Sequence, residues 1–281
     1  MNFSREFPFP KPREQQVDAI SAGIKALLES DKRFFVLEAG TGVGKSAIGL
    51  TIASYVSTHL NTDEDFNPGA YYLTTQKILQ QQYVDDFENT SQNMRDLKSS
   101  SNYTCSFQGN VSCGEGLRAL KVAKKNSDFF HHCARSCVYK KAKKSFIEGR
   151  HGITNFSYFL AETQYAGKLE PREVLVVDEA HNIESELSKF IEVSISEAFV
   201  ERVLKIKIPP FNTQNQAYRW IRDVYVPKLS EYFVILEAKI EKLLGGKERL
   251  KEFEKIARQV EIVDKHLCKI RRFLKVYSAD N

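Results

Sequence analysis

The chain has 281 residues, room for one large or two ordinary domains, and 42 % of them are hydrophobic, which excludes a disordered polymer. No apolar run approaches the roughly 20 residues a membrane-spanning helix needs, and the start MNFSREFPFPKPREQQ has charges and prolines where a signal peptide would be apolar. A soluble protein without membrane contact is expected, cytoplasmic or, in a eukaryote, nuclear; the net charge of +5 is too small to indicate a partner until its distribution is considered.

Residues 1–12, punctuated by prolines, should run extended over the surface. From Arg13 to Leu28 the apolar residues Val17, Ile20, Ile24, Leu27 and Leu28 share one helical face. Arg13 and Gln16 open that helix just upstream of a glycine-rich stretch, and a carboxamide both donates and accepts, so Gln16 could read an adenine edge. Phe34, Phe35, Val36 and Leu37 form an unbroken apolar run of the kind that makes a strand buried on both faces.

The next residues, Glu38 to Ser46 (EAGTGVGKS), read as a Walker A phosphate loop. Gly40, Gly42 and Gly44, with Thr41 between the first two, let several backbone N–H groups face one anion, and a helix opening at Lys45 adds its positive end. Lys45 would reach the β- and γ-phosphates of ATP, and the Ser46 hydroxyl would ligate Mg²⁺. Ala39 stands where the strict pattern has its first glycine.

After a helix over about 45–60 and a polar loop, Ala70 to Leu73 reads as a second strand. Thr74, Thr75 and Lys77 at its carboxyl end could hold a phosphate backbone, and Gln76 to Phe87 continues as a helix. Residues 91–150 carry an excess of eight positive charges, more than the whole chain's +5. Tyr103, Phe107, Phe129, Phe130 and Tyr139 are interleaved with them, the composition of a groove that tracks phosphates and stacks bases. Four of the five cysteines, Cys105, Cys113, Cys133 and Cys137, lie in the same window, which in an intracellular chain favours metal or iron–sulfur ligation over disulfides. Cys268 reads as an ordinary thiol.

Val174 to Val177 is another buried-strand run, and it ends in Asp178-Glu179-Ala180-His181. At a strand's carboxyl tip beside a phosphate loop, Asp178 can hold Mg²⁺ and Glu179 can accept a proton from an attacking water. Beyond Glu184 the pattern is helical and charged, with a loop at Pro209-Pro210. Two long amphipathic helices over 217–244 and 247–276 are expected to be separated by Gly245-Gly246.

Taken together, REQQVDAI, EAGTGVGKS, YLTTQKILQQQ, LKSSSNYTC, CVYKKAKKSF, ITNFSYFL and VVDEAHNIE, in that order over residues 13 to about 184, make the chain resemble the amino-terminal part of the iron–sulfur DNA helicases of superfamily 2, the XPD and DinG type. The resemblance implies an α/β fold: a RecA-like P-loop lobe with a parallel sheet (1–90 and 151–186), an inserted Fe–S cluster domain (91–150) and an incomplete helical arch-like domain (187–281). It implies a [4Fe–4S] cluster on Cys105, Cys113, Cys133 and Cys137, with zinc on the same sulfurs as the rival, although C-x7-C-x19-C-x3-C lacks the short knuckles of zinc ribbons. It also places Arg13, Gln16 and His181 at the ATP site with the loop residues. The implied activity is ATP-driven 5′ to 3′ translocation on single-stranded or forked DNA by a monomer. The family's second motor lobe and its arginine are not among these residues, so a longer helicase represented by its amino-terminal part is expected, hydrolysing ATP poorly alone. The competing function is a non-motor single-stranded DNA-binding module with a vestigial ATP site.

Overall fold

The computed structural model describes residues 2–30, 32–60, 66–87, 94–107, 109–122, 125–163, 169–243 and 250–279. They divide into two compact units, Met1–Glu186 and Leu187–Asn281.

The first unit is an α/β fold around a four-stranded sheet in the order β2-β3-β1-β4, formed by β1 (Asn67–Thr74), β2 (Met94–Leu97), β3 (His151–Asn155) and β4 (Arg172–Val177). Every pairing is parallel. Parallel strands need helical crossovers, and these cover both faces. Strand alternation divides β1 between two cores. Ala70 and Tyr72 join Ile20 and Ile24 of α1 (Glu14–Leu28) and Ile48 of α2 (Lys45–His59). Tyr71 faces the other way, onto Phe146 and Tyr139 of α6 (Val138–Glu148). Between these elements lie α3 (Lys77–Phe87), α4 (Cys113–Val122), α5 (Asp128–Arg135) and α7 (Phe156–Ala161).

The run Phe34–Leu37 departs from expectation. It keeps a strand's alternation, with Phe35 and Leu37 packed on the α1–α2 core, yet it joins no strand ladder, and Phe34 and Val36 are 87 % and 84 % exposed. The sheet ends at β4 among the described residues, where Leu175 is also half exposed. The apolar run therefore has one covered face rather than two.

Arg172 holds the amino-terminal end of the sheet together. Its buried guanidinium donates to the carbonyls of Arg150 (2.7 Å), Ala70 (3.2 Å), Phe146 (3.0 Å) and Ile147 (3.1 Å) and lies 4.3 Å from the centre of the Tyr71 ring. A buried cation is tolerable when its donors are filled, and here the carbonyls ending α6 supply the negative end of a helix. Gly69 allows this close packing: its φ is +117°, and a Cβ there would lie 1.9 Å from the Arg150 carbonyl oxygen.

The second unit contains α9 (Glu197–Arg202), α10 (Gln214–Trp220), α11 (Val226–Leu243) and α12 (Leu250–Ala279), and α8 (Ile183–Ile191) spans the division between the units. Val200, Leu204, Tyr225, Leu229, Leu236 and Leu267 belong to its core. The expected continuous helix from 217 is instead interrupted by a wide π turn at Ile221–Tyr225. Pro227 explains it: proline offers no N–H and collides with the carbonyl four residues back, so the preceding turn widens. Gly245 and Gly246 lie outside the described residues. No described helix is long and apolar enough to cross a membrane.

His151 provides a test of the sheet. It is fully buried on β3, its Nε2 lies 3.2 Å from the Ser54 hydroxyl, and its Nδ1 has no partner. Burial, with Arg150 and Arg172 nearby, pushes its pKa down to about 3. Below the ordinary value near 6.5 the unfolded chain takes up a proton that the folded chain refuses, so stability is lost as pH falls from about 6.5 toward about 3. Urea midpoints measured between pH 7.5 and 4.5 should fall, and His151→Gln should flatten the dependence; an equal slope in the variant would show that other groups carry it.

Candidate nucleotide site and cysteine pocket

The phosphate loop is held from behind by the start of α1. Gln16 Nε2 donates to the Val43 carbonyl (2.8 Å), Gln16 Oε1 accepts from the Arg13 N–H (2.9 Å), and Arg13 Nη1 donates to the Gly42 carbonyl (3.2 Å). Both functions of the Gln16 carboxamide are thus engaged within the chain, shaping the loop. Gly42 and Gly44 have φ of +80° and +84°, the left-handed turn that aims successive N–H groups in one direction before α2 begins at Lys45. A Cβ on Gly44 would lie 2.6 Å from Gln16 Nε2, so close approach as well as φ requires glycine there. The Lys45 ammonium reaches across the loop to the carbonyls of Ala39 (3.0 Å) and Gly40 (3.4 Å). Gly40 and Thr41 are exposed on the loop.

Asp178 and Glu179 emerge just past β4. The Asp178 N–H donates to the Leu73 carbonyl of β1 (2.9 Å), which sets the acidic pair at the carboxyl edge of the sheet. Burial raises the pKa of the Asp178 carboxyl, the Glu179 N–H bond to Asp178 Oδ1 (3.1 Å) opposes that, and the Glu179 charge and the Lys45 ammonium also act on it, up and down respectively. The loop lysine and the strand-tip carboxylate are therefore electrostatic neighbours. Glu179 adopts φ +52°, a left-handed conformation that costs a non-glycine residue energy and is frequent at functional sites. Its Oε2 lies 3.2 Å from Nδ1 of the exposed His181.

Sequence reasoning missed one residue here. Tyr83 of α3 is buried near Asp178: burial raises the pKa of its hydroxyl and the Asp178 charge raises it further. Gln80, Tyr83 and Phe87 are the buried face of α3, so their spacing reads as core packing and gives no hint of the hydroxyl's position. Ser46 opens α2 and Asp178 follows β4, and a hydroxyl and a carboxylate are hard oxygen donors of the kind that suits Mg²⁺.

At the carboxyl end of β1, Thr74 is fully buried and its hydroxyl accepts from the Gln76 N–H (3.3 Å), which makes it a turn residue rather than a phosphate ligand. Lys77 is exposed and donates to Asn102 Oδ1 (2.8 Å).

Cys105, Cys113, Cys133 and Cys137 are buried free thiols that line one pocket with Ser106, Gly116, Phe129 and His132. They come from four places: the loop closed by the Thr104–Ser112 bridge, the start of α4, the middle of α5 and the residue capping α6. Burial pushes the Cys113 thiol up, and Cys137 and Cys105 push it further; Cys133 is raised by burial and by Cys137. His132 holds the Ser106 hydroxyl (2.9 Å) at the pocket's rim. Among the described residues no three His, Cys, Asp or Glu side chains are grouped as ligands of a metal ion. The donor chemistry of four crowded thiols still fits a soft, multi-iron cluster, which takes a separate thiolate at each corner.

The basic window is partly neutralised internally. Lys143 pairs with Glu162 (2.5 Å) in a mostly buried ion pair, and Lys98 pairs with Asp96 (3.4 Å). Lys140 and Lys141 stay exposed on α6. Phe107 is 45 % exposed against Phe129 and His132, whereas Tyr139 is buried and hydrogen-bonded to Tyr158 (2.8 Å), a core role.

Residues 9–209 match the family model described as type III restriction enzyme, res subunit. No curated protein matches the chain.

Gly44→Ala should weaken ATP binding at least tenfold, since strain of about 1–3 kcal/mol falls on the loop itself. Gln16→Ala, which leaves the Val43 carbonyl without its donor, should weaken it by about tenfold. Titration with a fluorescent ATP analogue checks both; unchanged affinity in Gln16→Ala would show that the α1 anchor does not organise the loop.

Proposed function

The chain belongs to the type III restriction enzyme res subunit family, the amino-terminal lobe of superfamily 2 helicases, and from that premise we propose that it is the first motor lobe of an iron–sulfur DNA helicase of the XPD and DinG type. An ATP-hydrolysing, helicase-like enzyme that binds nucleic acid is what the family implies. The narrower reading is that it moves 5′ to 3′ on single-stranded or forked DNA with a [4Fe–4S] cluster on Cys105, Cys113, Cys133 and Cys137. One observation carries that reading: four buried thiols, placed in sequence between the phosphate loop and the acidic pair, line one pocket within the same compact unit.

The chemistry follows from the chain's own groups. Backbone N–H groups of Gly40 to Gly44 and the start of α2 hold the phosphates, and Lys45 exchanges its loop carbonyls for β- and γ-oxygens. Ser46 and Asp178 are the residues that would hold Mg²⁺, which when bound neutralises charge on the β- and γ-phosphates. Glu179 accepts a proton from the attacking water. His181, in contact with the Glu179 carboxylate, orients it. Arg13 and Gln16 keep the loop in its binding shape. The exposed Lys140 and Lys141 with Phe107 supply phosphate and stacking contacts for a single strand.

Anaerobically purified protein should show a broad visible absorption band and about four irons per chain. Lys45→Ala should reduce DNA-stimulated ATP hydrolysis by roughly 10²–10³ while leaving single-strand binding within a few-fold. A colourless protein with one zinc would overturn the cluster, and single-strand DNA binding with no binding of a fluorescent Mg²⁺·ATP analogue would replace the motor with a passive DNA-binding module.

A further inference from the structure

One wall of the cysteine pocket is aromatic. Phe129, His132 and Cys133 recur at i, i+3 and i+4 on α5, so one helix face carries a thiol and the two rings that line the pocket beside it. Gly116 of α4 lies between Cys105 and Phe129, where a Cβ would stand 3.4 Å from the Cys105 sulfur and 3.9 Å from the Phe129 ring. Phe107 covers both lining rings from outside: its ring centre is 5.4 Å from that of Phe129 and 5.3 Å from that of His132. It is 45 % exposed and outside the core cluster that holds Cys113, Cys133 and Cys137, so packing of that core does not account for it. From solvent inward, the order on this side is Phe107, then Phe129 and His132, then sulfur. The turn around Cys105 sets the ring there. The Gly109 N–H donates to the Cys105 carbonyl (2.8 Å) with Gly109 at φ +60°, and the Cys105 N–H donates to the Val111 carbonyl (2.8 Å). Ser106 ties the same turn to α5, its hydroxyl 2.9 Å from His132 Nε2.

We propose that Phe107 is the gate of the cysteine pocket: soft metal ions and small solutes reach the four thiols, and leave them, by displacing this ring. A buried ligand set needs an entry path. Three of the thiols sit on α4, α5 and the cap of α6, and an opening between those helices would break backbone hydrogen bonds. Moving Phe107 aside breaks two ring contacts and no side-chain hydrogen bond, because a phenyl ring makes none. The inference rests on the reading of the pocket as a metal site only for its cargo, and the route is the same whether the thiols take iron or zinc.

The test is alkylation of the full chain as isolated, with iodoacetamide and with its bulky fluorescein derivative, followed cysteine by cysteine by peptide mass spectrometry, with metal content measured on the same sample. Cys268, an exposed thiol, is the internal reference. In the unmodified protein the four pocket thiols should label far more slowly than Cys268 with both reagents. Phe107→Ala should speed their labelling by iodoacetamide by about tenfold, the order that two lost ring contacts permit, while the bulky reagent stays slow. Phe107→Trp, which keeps an aromatic cover, should stay near the unmodified rate. Equal iodoacetamide rates in Phe107→Ala and the unmodified protein overturn the gate. Acceleration of both reagents alike in Phe107→Ala assigns the ring to the fold of the loop and overturns it too. Absence of metal from every sample, with the Phe107→Ala effect intact, removes the metal reading and leaves the gate standing; metal present with no Phe107→Ala effect does the reverse.

Discussion

The parallel pairing of β1 with β4 is the constraint on which the nucleotide site depends. Its register sets Leu73 beside Val177, and the ladder's next bond, from the Asp178 N–H to the Leu73 carbonyl, fixes where the acidic pair leaves the sheet. The same edge is where β1 ends and the chain turns into α3, so Tyr83 and Asp178 are referred to one strand pair. A one-residue slip would send the alternating side chains of β4 to the opposite faces and carry Asp178 away from the Leu73 carbonyl. The ladder is protected from slipping at its other end. Arg172 binds carbonyls of β1, of the α6 end and of the residue preceding β3, a set that only one register satisfies.

The elements that sequence made legible are those whose signal is local. The 3.6-residue period of Arg13–Leu28, the glycines of the loop and the apolar run before Asp178 each carry their structure within about a dozen residues, and α1, α2 and β4 form there. The strands β2 and β3 went unread, because four or five residues give too short a pattern to stand out from basic and polar neighbours. Phe34–Leu37 has a strand's composition, but a ladder is a property of two segments, and none of the described strands pairs with it. The π turn before Pro227 was legible in principle, since a proline two residues into a helix must be accommodated by the turn before it.

The site divides in the same way. The phosphate loop and the acidic pair are contiguous motifs whose chemistry can be read directly from residue type. The internal work of Gln16 could not be, because a carboxamide's partner depends on how α1 docks against the loop, and here that docking turns it toward Val43. Tyr83 shows the limit most clearly. Its spacing with Gln80 and Phe87 signals burial, and only tertiary structure sets that buried ring near the Asp178 carboxylate. Thr74 is the reverse case: a hydroxyl at the ligand edge in sequence order, turned inward by the local turn it closes.

The cysteine pocket and the nucleotide site are joined by continuous covalent and hydrogen-bonded structure. Cys137 caps α6, and near the far end of that eleven-residue helix the carbonyls of Phe146 and Ile147 accept from Arg172. Arg172 is the first residue of β4, and Asp178 follows its last. Crowding also gives the pocket a direction of change. Burial and neighbouring sulfurs raise Cys113 and Cys133, so the neutral thiols are favoured until positive charge arrives to stabilise thiolates, and bound iron would supply that charge. Arg172 is thus the joint at which the helix capped by a pocket cysteine meets the strand that ends at the acidic pair.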